Sequence, residues 1–142
     1  MSFPPCQTMN FLGHQVVLDL HDCRTASFDD IAWVEATMLE AARRAEATIV
    51  KSTFHRFSPH GISGVLVIAE SHIAIHTWPE HGYAAIDIFT CGSMHGLRKA
   101  ADYLIGAFES LCPNIVELRR GRPADPASTL ARPLLSSTPL VA

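Results

Sequence analysis

Apolar residues follow two spacings along this chain, and the change from one to the other predicts its elements. Two stretches repeat their apolar positions every three to four residues, which is the spacing of a helix with one buried stripe. The stripes consist of Ile31, Val34, Met38, Ala41 and Ala45, and of Leu97, Ala101, Leu104, Ile105, Phe108 and Leu111. We expect Ser27 to cap the first helix, with Asp29 and Asp30 near its positive end.

Six other segments are alternating or continuously apolar over lengths typical of strands. They are residues 14–20, 47–57, 64–69, 72–78, 83–90 and 115–119. In the fourth segment, alternation puts Ile73 and Ile75 on one face and His72 and His76 on the other. Turn-forming sequences at residues 58–61 and 79–82 separate consecutive strands, which predicts antiparallel pairing.

The resulting order β-α-β-β-β-β-α-β predicts an α/β (α+β) fold, a two-layer sandwich of a mainly antiparallel sheet with two helices on one face. The second face of the sheet is then left for water or a partner subunit. We assign residues 13–121 to this domain, residues 1–12 to a loose lead-in and the proline-rich residues 122–142 to a disordered tail.

Composition narrows the classes of function. The chain has 142 residues and a net charge of −3, with 11 Lys and Arg against 14 Asp and Glu, so a dedicated nucleic-acid binder is not expected. Its four cysteines form no CxxC pair, which excludes a zinc ribbon and a CxxC redox motif. We see no signal peptide and no apolar run near the ~18 residues of a membrane span. A cytoplasmic protein without a membrane segment is the expectation.

Reactive side chains concentrate between residues 52 and 91. His72 and His76 have a zinc-like spacing, but on a strand they stand roughly 13 Å apart, so no metal is expected. Cys91 follows a strand and precedes the second helix, where a thiolate is stabilised; a buried small side chain is the alternative. The sequence Glu70-Ser71-His72 interrupts an apolar run. It is either a polar turn or a strained junction at which a serine hydroxyl attacks the preceding carbonyl.

Four motifs in this region resemble those of one family. They are STFHRF at residues 52–57, GISGV at 61–65, AESHIAIHTWPE at 69–80 and DIFTCG at 87–92. Their order and spacing are similar to those of the short bacterial and archaeal pyruvoyl-dependent S-adenosylmethionine decarboxylase proenzymes. The resemblance implies a lyase that cleaves its own chain between Glu70 and Ser71. The Ser71 hydroxyl attacks the Glu70 carbonyl, and the resulting ester eliminates to a dehydroalanine that hydrolyses to a pyruvoyl group.

The same resemblance implies three further roles in catalysis. The pyruvoyl group formed from Ser71 binds the substrate amine as a Schiff base and accepts the electrons left by CO2. His76 transfers a proton during processing, and Ser63 assists it. Cys91 returns a proton to the substrate carbon after decarboxylation.

Substrate-binding positions follow from the resemblance as well. Phe57 matches an aromatic residue that stacks on adenine, and Glu80 matches an acid near the substrate. Phe54 joins them as an aromatic wall for a sulfonium cation. A plain core position remains the alternative for both phenylalanines.

The implied substrate is S-adenosylmethionine, whose decarboxylated form supplies aminopropyl groups for spermidine, and the implied assembly is a homodimer. Two alternatives stay open. The first is the same pyruvoyl chemistry on L-ornithine or L-arginine. The second is a non-catalytic paralogue that regulates an active partner; it predicts loss of Ser71, His76 or Cys91, and all three are present.

Overall fold

The computed structural model of this chain describes residues 11–121. The elements are β1 (Gly13–Cys23), α1 (Ile31–Arg44), β2 (Ile49–Arg56), β3 (Ile62–Ile68), β4 (Ser71–Trp78), a 3-10 turn (Pro79–His81), β5 (Tyr83–Thr90), α2 (Met94–Ala107) and β6 (Ser110–Arg120). This confirms the predicted order of strands and helices. The predicted lead-in, apart from residues 11 and 12, and the predicted tail lie outside the described residues.

All six strands form one sheet, with spatial order β2-β3-β4-β5-β1-β6 and antiparallel pairing throughout. The consecutive strands β2 to β5 are joined by short turns and lie side by side. β1 lies between β5 and β6, so the first strand of the chain is inserted between two strands from its second half. Two helices and one antiparallel sheet confirm the predicted fold class.

The core lies between the two helices and one face of the sheet. Every second residue of β4 is buried on this face, including Ile73 and Ile75, as the alternation predicts. The apolar stripe of α1 packs against the sheet through Val34 and Met38, and Leu104 of α2 is also buried. Burying these side chains stabilises the fold by roughly 1.5–3 kcal/mol for each large one.

The predicted strand 115–119 is longer in the structure, since β6 spans Ser110–Arg120, and two predictions at the ends of the helices are wrong. The first helix is capped by Asp30, whose carboxylate accepts hydrogen bonds from the N–H groups of Ala32 and Trp33, and not by Ser27. Both residue types are good caps, and the path of the chain into the helix decides between them. Leu111 belongs to β6 and not to the second helix, because α2 ends at Ala107 and the chain turns at Glu109, which has φ 52°.

The second face of the sheet is open. It carries the alternate residues of the strands, among them His72 and His76 of β4, and it leaves Val67, Trp78, Val116 and Leu118 exposed. Within the described residues, no helix is both long and apolar enough to cross a membrane. The open face of the sheet thus carries polar and apolar side chains that are not part of the core.

Candidate active site

The junction between β3 and β4 is a two-residue turn, Ala69-Glu70, since Ile68 pairs directly with Ser71. The backbone of Ser71 has φ 151°, on the positive side that residues other than glycine rarely adopt. Such a conformation costs on the order of 1–3 kcal/mol and persists only where the surrounding structure imposes it. The serine singled out in the sequence thus occupies a strained backbone position.

The surroundings of Glu70 impose this conformation. The backbone N–H of Cys91 donates to the Glu70 carbonyl oxygen over 3.1 Å. On the other side, the Glu70 carboxylate accepts the Thr48 N–H at 3.1 and 3.3 Å, and the Ala69 N–H donates to the Thr48 carbonyl at 2.8 Å. The turn is therefore fastened to the residue before β2 and to the residue after β5. Its carbonyl already faces a hydrogen-bond donor that can stabilise negative charge on the oxygen.

A second polar pair lies at the far end of the same hairpin. Ser63 of β3 and His76 of β4 are direct partners in the ladder, and Ser63 Oγ lies 2.7 Å from His76 Nδ1. Which atom donates depends on the tautomer of the imidazole. Strand register brings these two residues together although they are 13 positions apart in the sequence.

This pair lines a cavity of about 330 Å³. The cavity is bordered by Phe57, Pro59, His60, Gly61, Ile62, Ser63, His76, Thr77, Trp78 and Glu80. Four residues singled out in the sequence therefore share one wall: Ser63, His76, Phe57 and Glu80. The cavity combines aromatic faces with one carboxylate, a lining that suits an organic cation.

Phe54 is not part of this cavity. Its neighbours on the same face of β2, Ser52 and Arg56, contact Glu35 and Asp29 on the helical side of the sheet. The Phe54 ring covers Gly64 and packs against the core. The structure thus favours the core alternative for Phe54, whereas Phe57 borders the cavity.

The structure assembles two groups of predicted site residues but does not bring them together within one chain. Glu70, Ser71 and Cys91 form the junction group, and Ser63 and His76 belong to the cavity group. His76 is five residues from Ser71 along β4, which separates them by roughly 16 Å. A single chain therefore cannot place the His76 imidazole on the Glu70–Ser71 bond.

His72 and His76 do not form a metal site. His72 Nε2 lies 2.8 Å from Asp87 Oδ2 on β5, whereas His76 contacts Ser63. Among residues 11–121 no group of three or more His, Cys, Asp or Glu side chains is arranged to hold a metal ion.

The pKa values of two side chains, Tyr83 and Cys23, are raised above their usual values. The Tyr83 hydroxyl donates to Asp19 over 2.6 Å, and this hydrogen bond raises the pKa of Tyr83 to about 12. Its ring stacks on Trp78, which borders the cavity. Burial raises the pKa of the Cys23 thiol to about 11, so that this cysteine stays protonated and is a poor nucleophile.

Three groups near the junction and the cavity have no role in the predictions from sequence: the Cys91 N–H, the Thr48 N–H and the side chain of His60. The two N–H groups leave no signature in a sequence because every residue but proline has one. His60 was visible among the concentrated reactive side chains, and its position in a turn was the available signal.

Comparison with known proteins points to the same family as the motifs in the sequence. A family model described as S-adenosylmethionine decarboxylase matches residues 14–121. An S-adenosylmethionine decarboxylase proenzyme from Pseudomonas paraeruginosa is 51% identical over 129 residues, which cover 91% of this chain and 81% of the relative. A proenzyme of the same name from Acidithiobacillus ferrooxidans is 51% identical over 114 residues, covering 80% and 86%.

The fold agrees with these sequence matches. The crystal structure of the adenosylmethionine decarboxylase from Aquifex aeolicus aligns with a TM-score of 0.77 and 32% identity, covering 82% of this chain and 97% of that chain. The family match spans both the junction group and the cavity group. The sequence matches, the shared fold and the inclusion of both groups in the matched region show that this chain belongs to the S-adenosylmethionine decarboxylase family.

Proposed function

We propose that this chain is a precursor that cuts itself between Glu70 and Ser71 and then decarboxylates S-adenosylmethionine with the pyruvoyl group made from Ser71. The observation that carries the proposal is the junction, where a serine with positive φ follows a carbonyl whose oxygen accepts the Cys91 N–H. Relatives with half of their residues in common with this chain are named proenzymes of this decarboxylase, which supports the same reaction here.

Self-cleavage begins when Ser71 Oγ adds to the Glu70 carbonyl carbon. The Cys91 N–H stabilises the charge that develops on the oxygen, the peptide C–N bond breaks, and an ester and an amine remain. Removal of the α proton of residue 71 then expels the Glu70 carboxylate. Water replaces the amine, which leaves as ammonia, and the second fragment starts with a pyruvoyl group.

The His76–Ser63 pair suits the removal of that α proton. When Nδ1–H donates to Ser63 Oγ, the lone pair of His76 Nε2 is left to accept a proton. Ser63 therefore acts as a positioning residue that selects the tautomer. It also restricts rotation of the ring.

The base reaches the junction from a second copy of the chain. Because His76 lies roughly 16 Å along β4 from the Ser71 of its own chain, we assign processing to His76 of the partner subunit in a homodimer. The open face of the sheet has exposed apolar side chains, including Val67 and Val116, that suit burial against a second copy. In a two-fold dimer the same contact supplies both junctions.

Once formed, the pyruvoyl group supplies the carbonyl that takes up the electron pair left by CO2. The residues of the chain bind the substrate and return a proton to it. In this homodimer, Phe57 and Trp78 in the cavity of one copy offer aromatic faces to the sulfonium ion, and Glu80 of the same cavity offers negative charge. The Cys91 thiol, at the junction of the other copy, donates the proton that replaces the carboxylate. The product donates aminopropyl groups for spermidine synthesis.

Intact-mass measurement and CO2 release test this function together. Wild-type protein is expected to yield a fragment of 70 residues and one of 72 that starts with the pyruvoyl group, and to release CO2 from S-adenosylmethionine. The Ser71→Ala variant is expected to remain one inactive chain, whereas Ser110→Ala, which alters a serine on β6, is cleaved normally. An uncut but active wild-type chain contradicts the proposal.

The substrate is decided by parallel assays with L-ornithine and L-arginine. Release of CO2 from either amino acid, with none from S-adenosylmethionine, assigns the same chemistry to another substrate. Cleavage without CO2 release from any of the three favours a regulatory paralogue.

A further inference from the structure

We propose that His60 is a positioning residue that holds the Glu80 carboxylate in the cavity and thereby sets the affinity for the cationic substrate. This inference rests on the proposed function, because it concerns how the same cavity binds its ligand. His60 Nε2 lies 2.9 Å from Glu80 Oε2, and both residues line the cavity that also contains His76 and Phe57.

Glu80 is the one carboxylate among the ten described residues around this cavity. A carboxylate on a short exposed turn has several rotamers, and only some of them direct its charge into the cavity. The 2.9 Å contact with the His60 imidazole engages one oxygen and selects a rotamer, while the other oxygen can still accept hydrogen bonds from hydroxyl groups of a ligand. The pair therefore reduces the entropy that Glu80 loses on binding.

His60 is itself held in place. Its turn is fastened to the start of α1, because Asp29 Oδ1 accepts the Gly61 N–H at 2.9 Å and the Asp29 carboxylate also contacts Arg56. Gly61 has φ 103°, and its carbonyl accepts the Phe57 N–H at 2.7 Å. The residue that orients Glu80 is thus fixed by contacts that do not involve the substrate.

The turn that carries Glu80 is fixed independently. It ends at Gly82, which has φ 57° and whose N–H donates to the Pro79 carbonyl at 3.1 Å. The Gly82 carbonyl in turn accepts the Cys23 N–H at the end of β1, at 3.0 Å. Because both turns are attached to different parts of the scaffold, the contact between His60 and Glu80 links two prearranged surfaces of one cavity.

Steady-state kinetics of the processed enzyme test the inference. We expect His60→Ala to raise KM for S-adenosylmethionine about three- to tenfold with kcat and self-cleavage nearly unchanged, which is the effect of losing one polar contact that orients the carboxylate. His60→Gln, which can still donate to the carboxylate, is expected to bring KM most of the way back to the wild-type value. The control is His81→Ala, which alters an exposed histidine beside Glu80 that does not line the cavity.

A double-mutant comparison separates positioning from a general structural effect. In the Glu80→Gln background, His60→Ala is expected to change KM by less than twofold. An unchanged KM in the single variant, or an equally large change in the Glu80→Gln background, overturns the inference while leaving the decarboxylase function intact.

Direct binding to uncut protein keeps the two proposals distinguishable. If wild-type protein releases no CO2 from S-adenosylmethionine, the proposed function fails, and the dissociation constant of S-adenosylmethionine for Ser71→Ala protein, with and without His60→Ala, decides the role of His60. A three- to tenfold weaker affinity supports that role. An equal affinity, or no binding to either protein, rejects it.

Discussion

The two ends of strand β4 both carry groups suited to a reaction, but one end offers a backbone bond and the other a side chain. At its start, Ser71 has a strained backbone, and the neighbouring carbonyl is held by the main-chain N–H of Cys91. At its end, His76 lies in regular strand geometry and is oriented by the side chain of Ser63. One end prepares a backbone bond for reaction, and the other prepares a side chain to move a proton.

This contrast is the reason for the proposed homodimer, in which each chain supplies one part of a symmetric site. A strand of eight residues keeps its ends too far apart for direct contact, and strand pairing makes that separation rigid. Two copies related by a two-fold axis can bring the end of one β4 to the start of the other. The following four predictions test this comparison, beginning with the largest expected effect.

The separation of the two ends predicts complementation between inactive chains. Ser71→Ala and His76→Ala are each expected to remain uncut when produced alone. When they are produced together in equal amounts, random pairing is expected to allow cleavage of about half of the His76→Ala chains and none of the Ser71→Ala chains. Tags of different mass on the two chains make this visible in an intact-mass spectrum. Absence of all cleavage in the mixture refutes the division of labour between copies.

Replacing Cys91 separates the main-chain and side-chain functions of the junction end. Cys91→Ala keeps the N–H that faces the Glu70 carbonyl, so self-cleavage is expected to continue. Loss of the thiol as proton donor is expected to lower kcat by about 10²- to 10⁴-fold. Fragment masses and CO2 release measure the two effects, with the exposed Cys112→Ser variant as the control. Equal losses of cleavage and turnover contradict the separation.

Substitution of Gly64, the neighbour of Ser63 on β3, tests how closely this strand packs against the Phe54 ring. A β-carbon at this position would overlap the Phe54 ring, so Gly64→Val is expected to lower the free energy of unfolding by about 1–3 kcal/mol. Urea unfolding in the Ser71→Ala background, where the chain stays whole, measures this change. Gly106→Ala on the exposed side of α2 meets no neighbour within 4 Å and is expected to stabilise the protein by about 0.5–1 kcal/mol. A neutral Gly64→Val contradicts the packing argument.

The smallest effect concerns Asp29, which fastens the turn at the cavity end. The hydrogen bond from the Gly61 N–H, with the nearby Arg56, lowers the pKa of the Asp29 carboxyl below its usual 3.8. A lowered pKa in the folded state adds stability that is present above 3.8 and is lost as the pH falls through the lowered value. Asp29→Asn is therefore expected to lower the thermal midpoint slightly at pH 7, with a difference that closes in acid. A difference independent of pH contradicts this origin.

Local patterns were sufficient for most elements because those elements have one apolar face and one polar face. The alternation in β4 and the stripe of α1 are set by residues a few positions apart, and the sequence displays them directly. The start of α1 was mispredicted because Ser27 and Asp30 are both competent caps. The length of β6 was underestimated because this edge strand is exposed, so it lacks the buried apolar face on which strand prediction depends.

The sequence indicated which residues belong to the site, but not how they are arranged in space. Motif resemblance indicated Ser71, His76 and Cys91, but the distance between Ser71 and His76 follows from strand geometry and appears only once both are assigned to one continuous strand. Phe54 and Phe57 could not be told apart by residue type. The contact between His60 and Glu80 joins two turns 20 positions apart, and no short-range pattern records it.

The insertion of β1 between β5 and β6 has a kinetic consequence for the mature protein. The proposed cleavage after Glu70 would assign β1, β2 and β3 to one fragment and β4, β5 and β6 to the other, so that three of the five strand ladders would join different fragments. Folding of the precursor is a first-order event, whereas reassembly of denatured fragments is second order in protein. Before two copies associate, the precursor chain is thus expected to refold at a rate independent of concentration, whereas the fragments of a cleaved chain are expected to recover more slowly the more they are diluted.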